Sequence, residues 1–195
     1  TNRSFPGGPE DVARLGCRVI DRLQAGGVMA VAKHFPGLGR TTCDTHIDHL
    51  ELETGAEEMT ATDLIPFQAA IDQGVAGIML SHVRYSGWDR EWPAGMSVAV
   101  ARTLLREKMR FDGLVLTDDL DMGAMARHYD TETIIRRIAA AGIDLALVCH
   151  RGPAREIAAD TFLDIIQESE ASRQAAMDSV ARILRLKRKY LRFRG

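Results

Sequence analysis

The sequence predicts an α/β fold built on parallel strands, and three observations carry that reading. Short apolar runs alternate along the chain with segments of helical periodicity. Each run is near-continuously apolar rather than alternating, as a parallel strand covered on both faces requires. The 195 residues, 46% hydrophobic and 27% charged, supply material for one sizeable core, so 1–195 reads as one domain. A βα alternation with parallel strands leaves two main architectures, an open doubly wound sheet or a (β/α)8 barrel.

In chain order, the first helix is expected over residues 9–24. Val12, Leu15, Val19, Ile20 and Leu23 repeat there at helical spacing. Pro9 suits the first turn, Glu10 and Asp11 complement the positive helix end, and Gly26-Gly27 stop it. The first strand follows at 28–35 (VMAVAKHF). A helix over 63–73 leads into the second strand, 77–83 (GIMLSHV). A helix over 97–109 precedes the third strand, 114–118 (LVLTD), and one over 133–141 precedes the fourth, 143–150 (IDLALVCH). Helices over 155–167 and 171–191 close the chain, with no internal repeat, low-complexity segment or linker between units.

The formal charge of −2 gives no general attraction to nucleic acid or an anionic membrane, which points to a small-molecule target. The C-terminal RLKRKYLRFRG is basic, but Ile183, Leu184, Leu186, Tyr190 and Leu191 keep a helical spacing with the preceding turns. A basic-faced docking helix is therefore expected there instead of a nucleic-acid site. Cys17, Cys43 and Cys149 are far apart and lack C-x-x-C spacing, which argues against a disulfide framework or zinc ribbon and fits a reducing, cytoplasmic compartment. No apolar segment approaches the roughly 20 residues that span a bilayer, and residues 1–8 lack the apolar core of a signal peptide.

What the strands share is a polar pair where each apolar run ends: Lys33-His34, Ser81-His82, Thr117-Asp118 and Cys149-His150. In parallel α/β folds the carboxyl ends of the strands lie on one side, where ligands bind, so these pairs converge on a site. Asp118 follows the apolar run Leu114-Val115-Leu116 and Thr117 at a strand end, so its carboxylate needs a partner or a chemical role. A helix N-cap role is equally open to it, and for Asp119 and Asp121 a structural role is the expectation.

The stretch AKHFPGLGRTTCDTHIDHL (residues 32–50) places Asp44 and His46 beyond Pro36, Gly37 and Gly39, residues that break regular structure and permit a mobile loop. An Asp-x-His pair can work as a dyad: the carboxylate accepts one imidazole N–H, and the other nitrogen exchanges a proton near neutral pH. A surface loop is the plain alternative. Asp44, His46, Asp48 and His49, with His34, also offer metal-ligand chemistry, but their spacing matches no zinc signature, and no metal or other cofactor is expected. Thiol nucleophiles, Cys43 with His46 or Cys149 with His150, fare worse, because no helix terminus activates either sulfur.

Taken together, these words resemble the family 3 glycoside hydrolases, in their bacterial β-N-acetylglucosaminidase (β-hexosaminidase) branch acting on cell-wall muropeptides. The resemblance runs through NRSF (2–5), AKHFPGLG (32–39), DTH (44–46), LSHV (80–83), TDDLDMGA (117–124) and RILRLK (182–187), in order along nearly the whole chain. It implies a covalent, retaining mechanism for releasing terminal β-linked N-acetylglucosamine in peptidoglycan recycling. Asp118 stands at the nucleophile position and His46 at the acid/base position, oriented by Asp44. Arg3, Lys33 and His34 stand at positions that hold sugar hydroxyls. Leu38 departs from the family pattern, which more often has histidine there.

The resemblance also implies a (β/α)8 barrel, of which four βα units would form the C-terminal half, strands five to eight. Such a half leaves an inner face bare and two edges unpaired, so a missing N-terminal half barrel or self-association is expected, with little activity from these residues alone. A non-catalytic sugar-binding half barrel and transfer of the sugar to phosphate are the alternatives the resemblance leaves open.

Overall fold

The computed structural model describes residues 5–40 and 51–191. Four parallel strands form the main sheet: β1 (Val31–Phe35), β3 (Gly77–Leu80), β5 (Leu114–Asp119) and β6 (Leu145–Leu147), in the order β1-β3-β5-β6. A second, two-stranded parallel sheet pairs β2 (Glu51–Leu52) with β4 (Arg84–Tyr85). The main sheet adds each strand beside the last, without the reversal of order that marks a doubly wound fold. It is not closed: β1 and β6 are its edges.

Helices connect the strands. They are α1 (Pro9–Ala25), α2 (Ala56–Ala61), α3 (Ile65–Asp72), α4 (Gly123–Ala126), α5 (Thr131–Ala141), α6 (Pro153–Glu168) and α7 (Glu170–Tyr190). The segment expected as a helix over 97–109 is a wider π-type helix over Ala99–Lys108, where the Met109 N–H reaches back to the Leu104 carbonyl. The hydroxyl of Ser97 accepts the Val100 N–H at its start. Helix α5, expected over 133–141, begins two residues earlier and is capped at both ends. Asp130 accepts the Thr133 N–H at its N-cap, and Gly142 ends it at φ +70, a conformation that side-chain-bearing residues rarely adopt.

The core lies where β3 and β5 meet the helices, with Phe35, Ile78, Leu80, Val115, Leu105, Ile135 and Ile138 fully buried. Phe35 meets Phe67 of α3 edge to face at 5.1 Å. The bare inner face expected from sequence is seen only in part. The central strands are mostly buried, and exposure gathers at the edge, where Val28 and Val31 are 54% and 43% exposed. Val19 and Leu23 of α1 also stay exposed, so its apolar stripe is only partly used.

At the amino end of the sheet, just before β6, the Asp144 carboxylate is wholly buried. One oxygen accepts from Arg106 at 2.5 Å and the Val115 N–H at 2.9 Å. The other accepts from the Ser179 hydroxyl at 2.7 Å and Arg182 at 2.9 Å. Four donors on one carboxylate tie the π-type helix, β5 and α7 together. The C-terminal helix docks through Leu186 and Tyr190, which pack with Ala76, while Leu184 and Leu191 of the expected apolar stripe stay exposed; Arg185 adds a surface ion pair with Asp112 at 2.9 Å.

The parallel ladders are regular except at two places. Between β1 and β3 the register shifts between Ala32 and Phe35, and between β5 and β6 it shifts between Leu116 and Asp119. Lys33 and His34 fall inside the first irregularity, Thr117 and Asp118 inside the second. The peptide bonds Lys33-His34 and Phe35-Pro36 are cis.

Candidate active site

Three of the four strand-end pairs foreseen in the sequence contribute to one cluster at the carboxyl edge of the sheet. The Asp118 carboxylate, on β5, is 22% exposed, and its Oδ2 lies 3.2 Å from Nε2 of His34 on β1. Its Oδ1 accepts the Asp119 N–H at 2.9 Å. Burial pushes the Asp118 carboxyl up, but the bonds from His34 and the Asp119 amide outweigh it and hold it at about 2. Asp118 is therefore an anion at any working pH, with lone pairs left over. That combination suits a nucleophile.

Behind Asp118 sits His82, directly after β3 and only 2% exposed. Its Nε2 donates to the carbonyl of Asp119 at 2.8 Å, and burial pulls the ring below its ordinary value. Cys149 and His150, from the loop after β6, reach the same edge through their main chain and through His150 Nδ1, 3.2 Å from Asp121 Oδ2. The Asp119 carboxylate accepts the N–H groups of Asp121 and Cys149, each at 3.1 Å, and the Asp121 carboxylate accepts the His150 N–H at 2.8 Å. These carboxylates pin the β6 loop to β5, in line with the structural role expected of Asp119 and Asp121.

Asp119, Asp121 and His150 are also the group with metal-ligand spacing among the described residues, their ligand atoms lying within 4.8 Å of one another. Main-chain bonds to both carboxylates and the contact of His150 Nδ1 with Asp121 draw the three together. Burial and the neighbouring Asp119 carboxylate raise the Cys149 thiol, which keeps it protonated and disfavours a thiolate nucleophile there.

Lys33, expected to hold sugar, is on β1 and exposed. Arg3, Asp44 and His46, together with Cys43, Asp48 and His49, lie outside the described residues. The described residues on either side of 41–50 are well anchored. Buried Tyr85 donates to the Gly37 carbonyl at 2.9 Å and meets the Ser81 hydroxyl at 3.0 Å. Arg40 bonds Asp63, Glu58 and Thr62, at 2.9, 2.5 and 2.9 Å. On the far side, Glu51 pairs with Arg84 at 2.7 Å. Leu38 packs against the core. A surface hollow of about 480 Å³ on this side is lined by Glu51, Glu53, Thr54, Ser86 and Arg90, and its lining includes neither Asp118 nor His34.

The role of His82 was not foreseen from sequence, although the Ser81-His82 pair itself was. A histidine bonded to a backbone carbonyl leaves no second residue to look for.

With this geometry in hand, comparison with known proteins is informative. The glycosyl hydrolase family 3 N-terminal domain matches residues 1–186. The chain belongs to glycosyl hydrolase family 3. Among its family 3 relatives, the β-hexosaminidase of Hydrogenovibrio crunogenus is 34% identical over 189 residues, 95% of this chain and 49% of that protein. The β-hexosaminidase of Methylococcus capsulatus is 35% identical over 187 residues, 93% of this chain and 54% of that protein. The chain thus spans about half the length of these curated relatives. Among solved structures, the family 3 β-N-acetylglucosaminidase of Paenibacillus sp. FPU-7 superposes with a TM-score of 0.91 at 35% identity, over 96% of this chain and 36% of that one. The β-N-acetylhexosaminidase of Beutenbergia cavernae gives 0.85 at 30% identity, over 95% and 54%.

Proposed function

We propose that this chain carries the nucleophile half of a retaining β-N-acetylglucosaminidase, corresponding to strands five to eight of a (β/α)8 barrel. The observation that carries the reading is the Asp118 carboxylate: ionised, only partly shielded, and set at a strand mouth 3.2 Å from His34. The names of the relatives, β-hexosaminidase and β-N-acetylglucosaminidase, support the substrate class.

In the first step an Asp118 oxygen bonds to the anomeric carbon while the bond to the leaving oxygen breaks. That oxygen takes the electron pair and a proton from His46. In the second step His46 removes a proton from water, whose oxygen displaces Asp118 and returns the original configuration. Asp44 orients His46 and favours its cationic form, and Arg3, Lys33 and His34 hold sugar hydroxyls. Muropeptides released from cell wall in a cytoplasmic recycling route are the proposed natural substrate.

Treatment with a slow-deglycosylating fluorinated N-acetylglucosaminide, followed by peptide mapping, is expected to find the sugar on Asp118. An adduct on another residue, or inversion of the product, would overturn the mechanism. Product analysis with and without phosphate separates hydrolysis from phosphorolysis. The open edge at β1, with Val28 and Val31 exposed, favours a second reading in which this half is competent only when completed by further strands. Activity that appears only on adding a complementing half would support it.

A further inference from the structure

His82 is 2% exposed, and one of its ring nitrogens, Nδ1, is buried with no hydrogen-bond partner among the described residues. The other, Nε2, lies 2.8 Å from the Asp119 carbonyl oxygen, which can only accept, so Nε2 carries the hydrogen and Nδ1 is a bare lone pair. Nδ1 faces the chain at Gly95, where a Cβ would stand 3.5 Å from it. A second proton there would have no acceptor, and burial opposes the cation even with Asp118 and Asp119 nearby and His34 opposing them. The ring is a fixed, neutral donor.

Burying an imidazole with one orphaned nitrogen costs free energy that an aliphatic side chain of similar size would not. The return on that cost is the bond to Asp119. Residue 119 is held twice: its carbonyl by His82, and its N–H by the Asp118 carboxylate at 2.9 Å. We propose that His82 is a positioning residue for Asp118. By gripping the Asp119 carbonyl it orients the N–H that fixes one Asp118 oxygen, leaving the other turned toward His34. This rests on the reading of Asp118 as the nucleophile.

The test compares His82→Leu, His82→Gln and His82→Asn in the intact protein. A glutamine amide reaches the place of Nε2, whereas an asparagine amide reaches only that of Nδ1. In Leu and Asn, kcat per titrated site is expected to fall on the order of 100-fold with KM held within about twofold, and Gln is expected to recover most of the loss. A folded Leu variant with wild-type kcat, or a Gln variant as impaired as Asn, overturns the proposal. If Leu does not fold, the Gln and Asn pair decides by the same criterion.

A readout free of turnover is the amide resonance of Asp119, expected to move in Leu and Asn and to stay in Gln. An unmoved resonance in every variant sinks the positioning role. If the wild-type protein hydrolyses no sugar while the resonances follow the expected pattern, the nucleophile reading falls and the His82 link stands.

Discussion

Asp118 and Asp144 are both carboxylates set against the same four-stranded sheet, at its opposite ends, and their surroundings differ sharply. Asp144 is wholly buried and accepts four donors, two of them guanidinium groups. Asp118 accepts one backbone N–H and faces one imidazole, and about a fifth of its side chain meets solvent. A carboxylate whose lone pairs are all taken holds elements together and can do little else. One that is ionised yet under-coordinated keeps electron density to offer a reacting carbon. The amino end of the sheet is thus a staple, and the carboxyl end is where the proposed chemistry would take place.

The largest effect that would sharpen this contrast is on Asp118. Asp118→Asn is expected to lower turnover of an aryl N-acetylglucosaminide on the order of 10⁴-fold, with a smaller stability cost than any change at Asp144. Retention of activity would place the chemistry elsewhere. At the other end, Asp144→Ala strands two cations over an apolar core and is expected to cost about 3–5 kcal/mol in urea denaturation. A midpoint close to that of the wild type would remove the distinction drawn here.

Next comes a pH effect from His82. Its folded value is lowered from 6.5, so below pH 6.5 the unfolded chain binds a proton that the folded chain refuses. Stability contributed by the neutral ring is complete above that pH and is lost as pH falls below it. Thermal melts from pH 7.5 to 5 are expected to show this decline in wild type and a shallower one in His82→Gln. The smallest expected change is Asp130→Ala, which removes the α5 N-cap and costs about 1 kcal/mol in thermal or urea denaturation.

Much of the carboxyl end was legible in the sequence because its signal is local: an apolar run that stops at a polar pair. That pattern located His34, His82 and Asp118, whereas the Asp130 and Gly142 caps of α5 entered only with the structure. The staple around Asp144 was not legible. Arg106 and Arg182 each lie 38 residues from it, and both read as ordinary surface charges on amphipathic helices. Short elements escaped as well. The six residues of α2 and the two each of β2 and β4 are too few to show a period. The grip of His82 on a main-chain carbonyl depends on backbone geometry that no residue pattern encodes.

The place of His34 on β1 carries one more consequence. Its contact with Asp118 crosses the end of β3, a reach of two interstrand spacings, about 4.8 Å each. One terminus of that span stands on an interior strand, the other on a border strand whose outer hydrogen bonds are open. Fraying of β1 would therefore withdraw the imidazole before it disturbed the carboxylate. If further strands close that border, they would tighten the pair from outside, and joining the strand would also set the imidazole against the carboxylate.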